Sequence, residues 1–249
     1  SREASFRNLI LNQRIAHSDT FIGRSVWIAC KEPPDPEVFK QRTVYLGVDL
    51  SARNDLTAIA WVAQDVDRVW HVRCEFFAPE KNIIERSKRD RVPYDQWAKE
   101  GWITLTPGAS VDYEVVAKRL VEICDEVDVA VIAFDRWRIE VLRKELERLN
   151  AELPLEEFGQ GFKDMSPALD TLEAVLIDER LRHGGNPVLT WNASNAVAVT
   201  DPFENRKLDK KKSTGRIDGI ISVTMAISVA QSAPEQKTVG QSIYNQGMI

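Results

Sequence analysis

The sequence predicts a mixed α/β fold, in which the central sheet starts as an antiparallel three-strand meander, continues with parallel strands and is flanked by helices. Three apolar segments follow one another from residue 43 to residue 77, separated by short polar turns, as in a meander. From there to residue 158, segments with helical spacing alternate with short apolar runs, which is typical of strand–helix–strand units. With 249 residues, 43% of them hydrophobic, the chain can form one large domain with appendages.

The first half of the predicted domain contains most of the sheet. The strands of the meander are predicted at 43–50, 56–63 and 69–77. An amphipathic segment at 81–99 ends before Gly101, and a short strand is predicted at 103–105. Apolar residues at helical spacing predict a helix over 112–126. The run VDVAVIAF at 127–134 is almost continuously apolar, which is typical of a central strand covered on both faces.

The second half is predicted to be mainly helical. A helix is expected over 137–149 and a short strand over 155–158. Ser166 and Pro167 resemble a helix start, with a capping residue followed by proline at the first helical position, and that helix is predicted to continue to about Arg182. A polar stretch then leads to VAVTDPFENRKLDKKK, which indicates a β-hairpin, and RIDGIISVTMAISVA forms the last predicted helix.

Composition sets the outer boundaries of the domain. The segment 1–42 includes KEPPDPEVFKQR, with three prolines and mixed charge, and is predicted to be a linker that begins with a short helix near Phe6. The folded domain is predicted over 43–231, and 232–249 is predicted to be a flexible tail. The first residue is Ser rather than Met, which suggests a piece of a longer protein.

Charge and cysteine content exclude several classes of protein. A net charge of −5 is not that of a general polycation, so any nucleic-acid binding requires a local basic patch. The three cysteines lack CxxC spacing, so neither a zinc knuckle nor a disulfide framework is predicted. The N-terminus does not resemble a signal peptide, and the longest apolar stretch, 220–230, is too short to cross a bilayer. We therefore expect a soluble intracellular protein without a membrane partner.

Three carboxylates fall at the ends of predicted elements. Asp49 ends the first strand, Asp135 ends the predicted central strand at 127–134, and Asp218 lies in the first turn of the last helix. If the two strands are neighbours and the helix crosses the same sheet edge, the three carboxylates meet. Mutual repulsion then requires a positive partner, and hard divalent cations prefer such oxygen ligands. Two divalent ions in one site are typical of phosphodiester hydrolysis.

Each of these residues also has a simpler interpretation. Asp49 or Asp55 could cap a turn, Asp135 could pair with a neighbouring arginine, and Asp218 could interact favourably with the helix dipole. The convergence of all three on one sheet edge favours a shared metal site.

A basic arm precedes the last acid. The segment RKLDKKKSTGR supplies six basic residues, which are predicted to contact DNA phosphates next to the metal site: Arg206, Lys207, Lys210, Lys211, Lys212 and Arg216. The alternative is a solvated hairpin. The sequence has neither a GxxxxGK[ST] phosphate loop nor an HExxH zinc motif.

Several motifs together resemble a known family. In order, they are FRNLILNQ, YLGVDLSARNDLTAIAWV, VAVIAFDRW, FGQGFKDMSPALDTLEAVL, NPVLTWNASNAVAV and KKKSTGRIDGIISVTMAIS. The chain resembles the C-terminal nuclease domain of the large terminase subunit of tailed bacteriophages, which has a ribonuclease H-like fold. The resemblance extends to about residue 230.

The resemblance implies a metal-dependent endonuclease that cuts concatemeric viral DNA during packaging with two Mg²⁺ or Mn²⁺ ions. The catalytic, metal-binding acids would be Asp49, Asp135 and Asp218, with Asp55 as an additional candidate ligand. Residues 1–42 would join an N-terminal ATPase domain, and the expected partners are double-stranded DNA, the portal protein and the small terminase subunit. The expected location is the host cytoplasm, transiently at the procapsid portal.

Two alternatives remain open at this point. The domain could be a catalytically silent DNA-binding or docking module of the packaging motor. Alternatively, GVDLSARNDLTAIA is similar to the first phosphate loop of actin-like and sugar-kinase ATP-binding folds, although the second, duplicated domain of those proteins is not visible in the sequence.

Overall fold

A computed structural model describes residues 20–51, 56–136 and 139–233. The described helices are α1 (Arg24–Ala29), α2 (Pro36–Gln41), α3 (Ile83–Asp90), α4 (Tyr94–Lys99), α5 (Tyr113–Glu126), α6 (Ile139–Arg148), α7 (Phe162–Ile177), α8 (Pro187–Asn195) and α9 (Asp218–Ser232). The described strands are β1 (Val44–Asp49), β2 (Thr57–Gln64), β3 (Trp70–Pro79), β4 (Ile103–Thr106), β5 (Val129–Phe134), β6 (Leu155–Glu157), β7 (Leu181–Arg182), β8 (Ala198–Thr200) and β9 (Arg206–Leu208).

The main sheet has the predicted mixed topology. Its strand order is β4-β3-β2-β1-β5-β6, and β7 pairs with β3 outside this path. β1, β2 and β3 form the antiparallel meander, whereas β5 pairs parallel with β1, and β6 parallel with β5. The predicted hairpin is also present, as the separate antiparallel pair β8–β9.

Helices cover both faces of this sheet. On one face, buried residues of α7, α8 and α9, such as Leu169, Leu189 and Ile220, join one hydrophobic cluster. On the other face, α5 and α6 contribute residues such as Leu120 and Leu142 to a second cluster. The sheet therefore forms the middle layer of three, and α9 is buried along most of its length.

Two predictions for the sheet and its crossover helices need correction. β5 begins at Val129, and only its second half, from Ile132, is fully buried, because the three-residue β6 pairs with 132–134 alone. The expected amphipathic segment at 81–99 is divided into α3 and α4, and the break contains Pro93, which has no backbone N–H to continue a helix.

The helix predicted from Ser166 to Arg182 is also different. α7 starts one turn earlier, after Gly161, and Pro167 lies inside it, where its missing N–H removes a single hydrogen bond near the start of the helix. The helix ends at Ile177, and the residues up to Arg182 instead include β7. The polar stretch that follows contains α8, a helix that the sequence analysis missed, although Asn186 caps it and Pro187 occupies its first position.

The described part of the predicted linker is folded onto the domain. α1 places Trp27 at 3% exposure, and its ring stacks on His183 with the ring centroids 4.0 Å apart. α2 places Phe39 at 1% exposure within the second hydrophobic cluster. Residues 20–42 therefore belong to the core structure, while the predicted helix near Phe6 and most of the predicted tail, 234–249, lie outside the described residues.

Close contact between β1 and α9 determines where the last helix lies. Gly47 of β1 faces the backbone of α9: a Cβ atom placed on Gly47 would lie 2.0 Å from the carbonyl oxygen of Ser222 and 3.0 Å from the amide nitrogen of Ala226. Only glycine permits this approach. The N-terminal end of α9 is thereby held across the strand that ends at Asp49.

None of the helices described is long and apolar enough to cross a membrane.

Candidate active site

Two of the predicted acids lie side by side at one edge of the sheet. In the parallel pair β1–β5, Val48 is in register with Phe134. Asp49 follows Val48 in the chain and Asp135 follows Phe134, so both acids lie at the C-terminal ends of neighbouring strands. Asp49 is 3% exposed, and Asp135 is partly buried.

The third predicted acid reaches this edge from α9. Asp218 is the first residue of that helix and is 1% exposed. Its neighbour Gly219 donates its backbone N–H to the Oδ1 atom of Asn192 at 2.7 Å, and a Cβ atom on Gly219 would lie 2.7 Å from the ring of Phe76. Asn192, fully buried on α8, therefore fixes the start of α9, a positioning role that the sequence analysis did not identify.

A lysine of the basic arm connects two of the acids. The Lys210 ammonium donates to Oδ2 of Asp49 at 2.8 Å and to Oδ1 of Asp218 at 2.9 Å. The carboxylates are almost completely buried, whereas the lysine side chain is 41% exposed. The sequence analysis predicted Lys210 to be a DNA contact, and in this structure its ammonium is instead the cation shared by the two acids.

Burial dominates the protonation of this cluster. It raises the pKa of Asp49 to about 7: Lys210 acts to lower the value, while the carboxylates of Asp218 and Asp135 act to raise it. Burial acts to lower the pKa of Lys210, but the two carboxylates outweigh it and hold this pKa above its ordinary value. The ammonium of Lys210 therefore does not offset all of the negative charge of these carboxylates.

The ends of β1 and β2 are fixed by a small polar network next to Asp49. The backbone N–H of Ser51 donates to the Thr57 hydroxyl at 3.0 Å, and that hydroxyl donates to the Ser51 hydroxyl at 3.1 Å. The Tyr113 hydroxyl donates to the carbonyl oxygen of Ser51. The predicted additional ligand, Asp55, follows Ser51 by four residues in the sequence and lies outside the described residues.

The donor set fits a hard divalent ion. In the described ranges, the structure brings together no group of three or more His, Cys, Asp or Glu side chains that could hold a metal ion. Mg²⁺, however, uses one or two carboxylates and completes its shell with water and substrate phosphate. Asp49 and Asp218 already converge on one cationic atom, and Asp135 is close enough to affect the pKa of Asp49.

The other residues of the basic arm have different environments. Arg206 forms ion pairs with Asp170 and Glu173 of α7, and the Lys207 ammonium lies 4.9 Å from the ring centroid of Phe162. Both therefore pack on the domain. Lys211 and Lys212 are exposed. Their backbone N–H groups both donate to the Asp209 carboxylate, which fixes the turn that carries them.

The last member of the arm, Arg216, contacts α4. It is partly buried and hydrogen-bonds to the Tyr94 hydroxyl of α4. The preceding Gly215 is packed so tightly that a Cβ atom there would lie 2.5 Å from Asn195 and 2.8 Å from Trp191. The arm is thus fixed on α8 and α4 immediately before Asp218.

Comparison with known proteins gives a consistent result. Residues 3–233 match the family model described as the endonuclease domain of the terminase large subunit. The chain is 52% identical over 230 residues to the terminase large subunit of Enterobacteria phage HK97, covering 92% of this chain and 45% of that protein. It therefore spans about half the length of that curated relative.

Solved structures show the same similarity in three dimensions. The crystal structure of the HK97 bacteriophage large terminase matches with a TM-score of 0.80 at 52% identity, over 91% of this chain and 47% of that chain. The large terminase nuclease from thermophilic phage G20c, solved with bound magnesium, matches with a TM-score of 0.54 at 10% identity, over 85% of this chain and 97% of that chain. At that identity the second match is evidence for the fold alone.

Proposed function

This chain belongs to the family of terminase large-subunit endonuclease domains, and from that premise we propose that it is a metal-dependent endonuclease that cuts concatemeric viral DNA during genome packaging. The family match confirms the resemblance expected from the sequence, and the described topology with its structural relatives confirms the ribonuclease H-like α/β fold. The observation that carries the proposed activity is the convergence of Asp49 and Asp218 on one cation, beside Asp135.

The proposed cofactors are two divalent ions, Mg²⁺ or Mn²⁺. The residues that would hold them are Asp49, Asp135 and Asp218, with Asp55 as a further candidate. When bound, such ions activate a water for attack on the phosphodiester and stabilise the leaving oxygen. Support for this assignment comes from the oxygen-only donor set and from the positive charge that the buried carboxylates require.

The protein's own residues prepare the site. The start of α9 is held against the sheet by Asn192 and by close packing at Gly47 and Gly219. This packing keeps the carboxylate of Asp218 near that of Asp49. The Lys210 ammonium lies between both carboxylates, and we propose that it moves from them to a DNA phosphate when divalent ions bind. Lys211 and Lys212, which are both exposed, are positioned to contact the DNA backbone.

Further proposals concern the complete protein. The chain covers about half of its HK97 relative, and we propose that residues 1–42, of which 20–42 pack on this domain, lead to an N-terminal ATPase domain of the same protein. Family membership supports double-stranded DNA, the portal protein and the small terminase subunit as partners, and the host cytoplasm, transiently the procapsid portal, as the location.

One observation favours a second candidate function. The Lys210 ammonium occupies the position between the two buried carboxylates, which suits a catalytically silent DNA-binding or docking module of the packaging motor. The actin-like and sugar-kinase interpretation has no comparable support, since the chain belongs to the terminase endonuclease family.

Plasmid cleavage distinguishes the two candidates. Supercoiled DNA is incubated with the protein and Mn²⁺, Mg²⁺ or EDTA, and the wild type is compared with Asp135→Asn. As a matched control, Asp125→Asn makes the same change on an exposed residue at the C-terminal end of α5, which precedes β5 and so lies at the opposite edge of the sheet. We expect nicked and linear products with metal, retained in Asp125→Asn and lost in Asp135→Asn.

Absence of cleavage by folded wild-type protein with either metal would favour the docking module. Equal cleavage by wild type and Asp135→Asn would remove Asp135 from the proposed site.

A further inference from the structure

A basic cavity lies at the same sheet edge as the candidate active site. β3 runs antiparallel to β2, with Phe77 in register with Thr57, and β2 runs antiparallel to β1, with Ala58 in register with Asp49. The C-terminal ends of β3 and of the parallel β4 therefore point to the edge where Asp49 lies. The segments that follow these two strands form the cavity.

We call this cavity the α3 pocket. Its volume is about 440 Å³, and its lining residues are Lys81, Asn82, Glu85, Arg86, Arg89 and Ala109. Three of these are cations and one is an anion. The surrounding segment KNIIERSKRDR, 81–91, carries five basic and two acidic residues, in a chain whose net charge is −5. Positive charge is therefore concentrated here against the overall charge of the protein.

A buried guanidinium lies in the wall of this pocket. Arg86 is 6% exposed, and its guanidinium lies 5.6 Å from the ring centroid of Tyr94. Burial lowers the pKa of Arg86, and the nearby Arg216 and Arg89 act in the same direction, although Tyr94 and Asp90 oppose them. Several cations thus lie close together, and a bound anion would reduce their mutual repulsion.

The pocket is connected to the candidate active site through Tyr94. Its hydroxyl hydrogen-bonds to Arg216, which precedes Asp218 by two residues. Positive charge therefore continues from Arg216, in the loop before α9, to Arg86, which lines the pocket together with the exposed Lys81. Arginine presents a planar set of donors that matches phosphate oxygens.

We propose that the α3 pocket binds a backbone phosphate of the DNA duplex, away from the bond that is cut. This inference rests on the proposed function, because the ligand is the DNA that the nuclease cuts. The contact is to the backbone, so it strengthens binding of all sequences equally and fixes how the duplex lies across the sheet edge.

Binding without cleavage tests the pocket directly. The dissociation constant of a fluorescently labelled random-sequence duplex is measured by anisotropy in EDTA, over a range of salt concentrations. The variant is Lys81→Ala/Arg89→Ala, because both side chains are exposed and their removal leaves the buried Arg86 in place. The matched control, Lys40→Ala/Arg42→Ala, removes the same charge before β1, at the opposite edge of the sheet.

We expect the pocket variant to bind about tenfold more weakly and to reduce the slope of log affinity against log salt by about 1 to 2, while the control remains close to wild type. Equal affinities and slopes for the pocket variant and the control would overturn the inference. Stabilisation of the wild type by millimolar inorganic phosphate, combined with unchanged duplex binding in the pocket variant, would show a free-phosphate site and overturn it too.

The proposed function is tested separately by plasmid cleavage. A wild type that binds the duplex in EDTA through Lys81 and Arg89 but cleaves with neither metal would leave the α3 pocket supported and the endonuclease proposal refuted. If the wild type cleaves but the pocket variant binds the duplex with the same affinity as the control, the endonuclease proposal is supported and the α3 pocket proposal is refuted.

Discussion

Adding one methyl group to Gly47 tests whether the contact between β1 and α9 holds the candidate active site together. In Gly47→Ala the new Cβ atom would lie 2.0 Å from the Ser222 carbonyl oxygen, whereas ordinary contact begins at 3.4 Å. The helix or the strand must therefore move by about 1.4 Å, the difference between these two distances. The atoms that clash are backbone atoms of two buried elements, so no side chain can rotate away to relieve the contact.

The expected cost follows from this geometry. Overpacking a protein core costs about 1–3 kcal/mol and occasionally more, and a clash between backbone atoms belongs at the upper end of that range. We expect a loss of about 3 kcal/mol in the free energy of unfolding, equivalent to roughly 6–12 °C in the melting temperature of a domain of this size. Displacement of α9 also moves Asp218, so the stabilisation of the protein by Mg²⁺ should decrease.

Urea denaturation and thermal melting with and without Mg²⁺ measure both effects. The control is Gly161→Ala, where φ is −80° and a Cβ atom would meet no neighbour within 4 Å. That substitution should change the stability by less than about 1 kcal/mol. If Gly47→Ala lost no more stability than Gly161→Ala, the close approach of α9 to β1 would not position the site.

Two more predictions concern the charges of the site. Replacing Lys210 with Met leaves two buried carboxylates without their shared ammonium. In EDTA, the free energy of unfolding should therefore fall by about 1–3 kcal/mol. This range is lower than that of a fully buried ion pair because the lysine side chain is 41% exposed. When Mg²⁺ is titrated in thermal melts, Lys210→Met should reach half-maximal stabilisation at about tenfold lower Mg²⁺ than the control Lys211→Met. Equal Mg²⁺ midpoints for the two variants would contradict competition between the lysine and the metal. The pKa of Asp49 is raised from 3.8 to about 7, so the folded state binds this proton more tightly than the unfolded state, and metal-free stability is lost as the pH rises from about 4 through 7. The loss attributable to this group between pH 5 and pH 8 is about 2–3 kcal/mol in urea denaturation, and Asp49→Asn should remove it; parallel pH profiles for the two proteins would refute this assignment.

The sheet was predictable because its signals are local. Each strand of the meander is an apolar run between polar turns, and the residue that ends such a run can be read directly, as for Asp49 and Asp135. Parallel pairing of β1 with β5 then follows from the order of elements, which is why the neighbouring positions of these acids could be predicted. The first residues of β5 are less buried than expected because coverage depends on the length of β6, which is a tertiary property.

The parts of the site that the sequence analysis missed depend on contacts between residues far apart in the sequence. The side chain of Lys210 reaches Asp49, which is 161 residues away in the sequence, and nothing in DKKK distinguishes it from the exposed Lys211. Asn192 lies in the stretch that the sequence analysis describes only as polar, although the preceding Asn186–Pro187 pair is a signal for a helix start and identifies α8. The prediction that all six basic residues contact DNA treated the arm as a uniform patch, whereas Arg206 is paired with carboxylates of α7.

The position of Lys210 gives the basic arm a role that a simple electrostatic patch would not have. Two carboxylates at 3% and 1% exposure are costly without a cation, and the same buried position that suits a divalent ion is held here by a side chain from the arm. On the proposed function, metal binding at these oxygens displaces the ammonium, which then becomes available for a DNA phosphate. Since the displaced charge lies on the arm that leads into α9, occupation of the proposed metal site and positive charge on the proposed DNA-binding surface would increase together. We therefore expect divalent ions to strengthen duplex binding by the uncleaving Asp135→Asn protein, and to strengthen it less once Lys210 is replaced by Met.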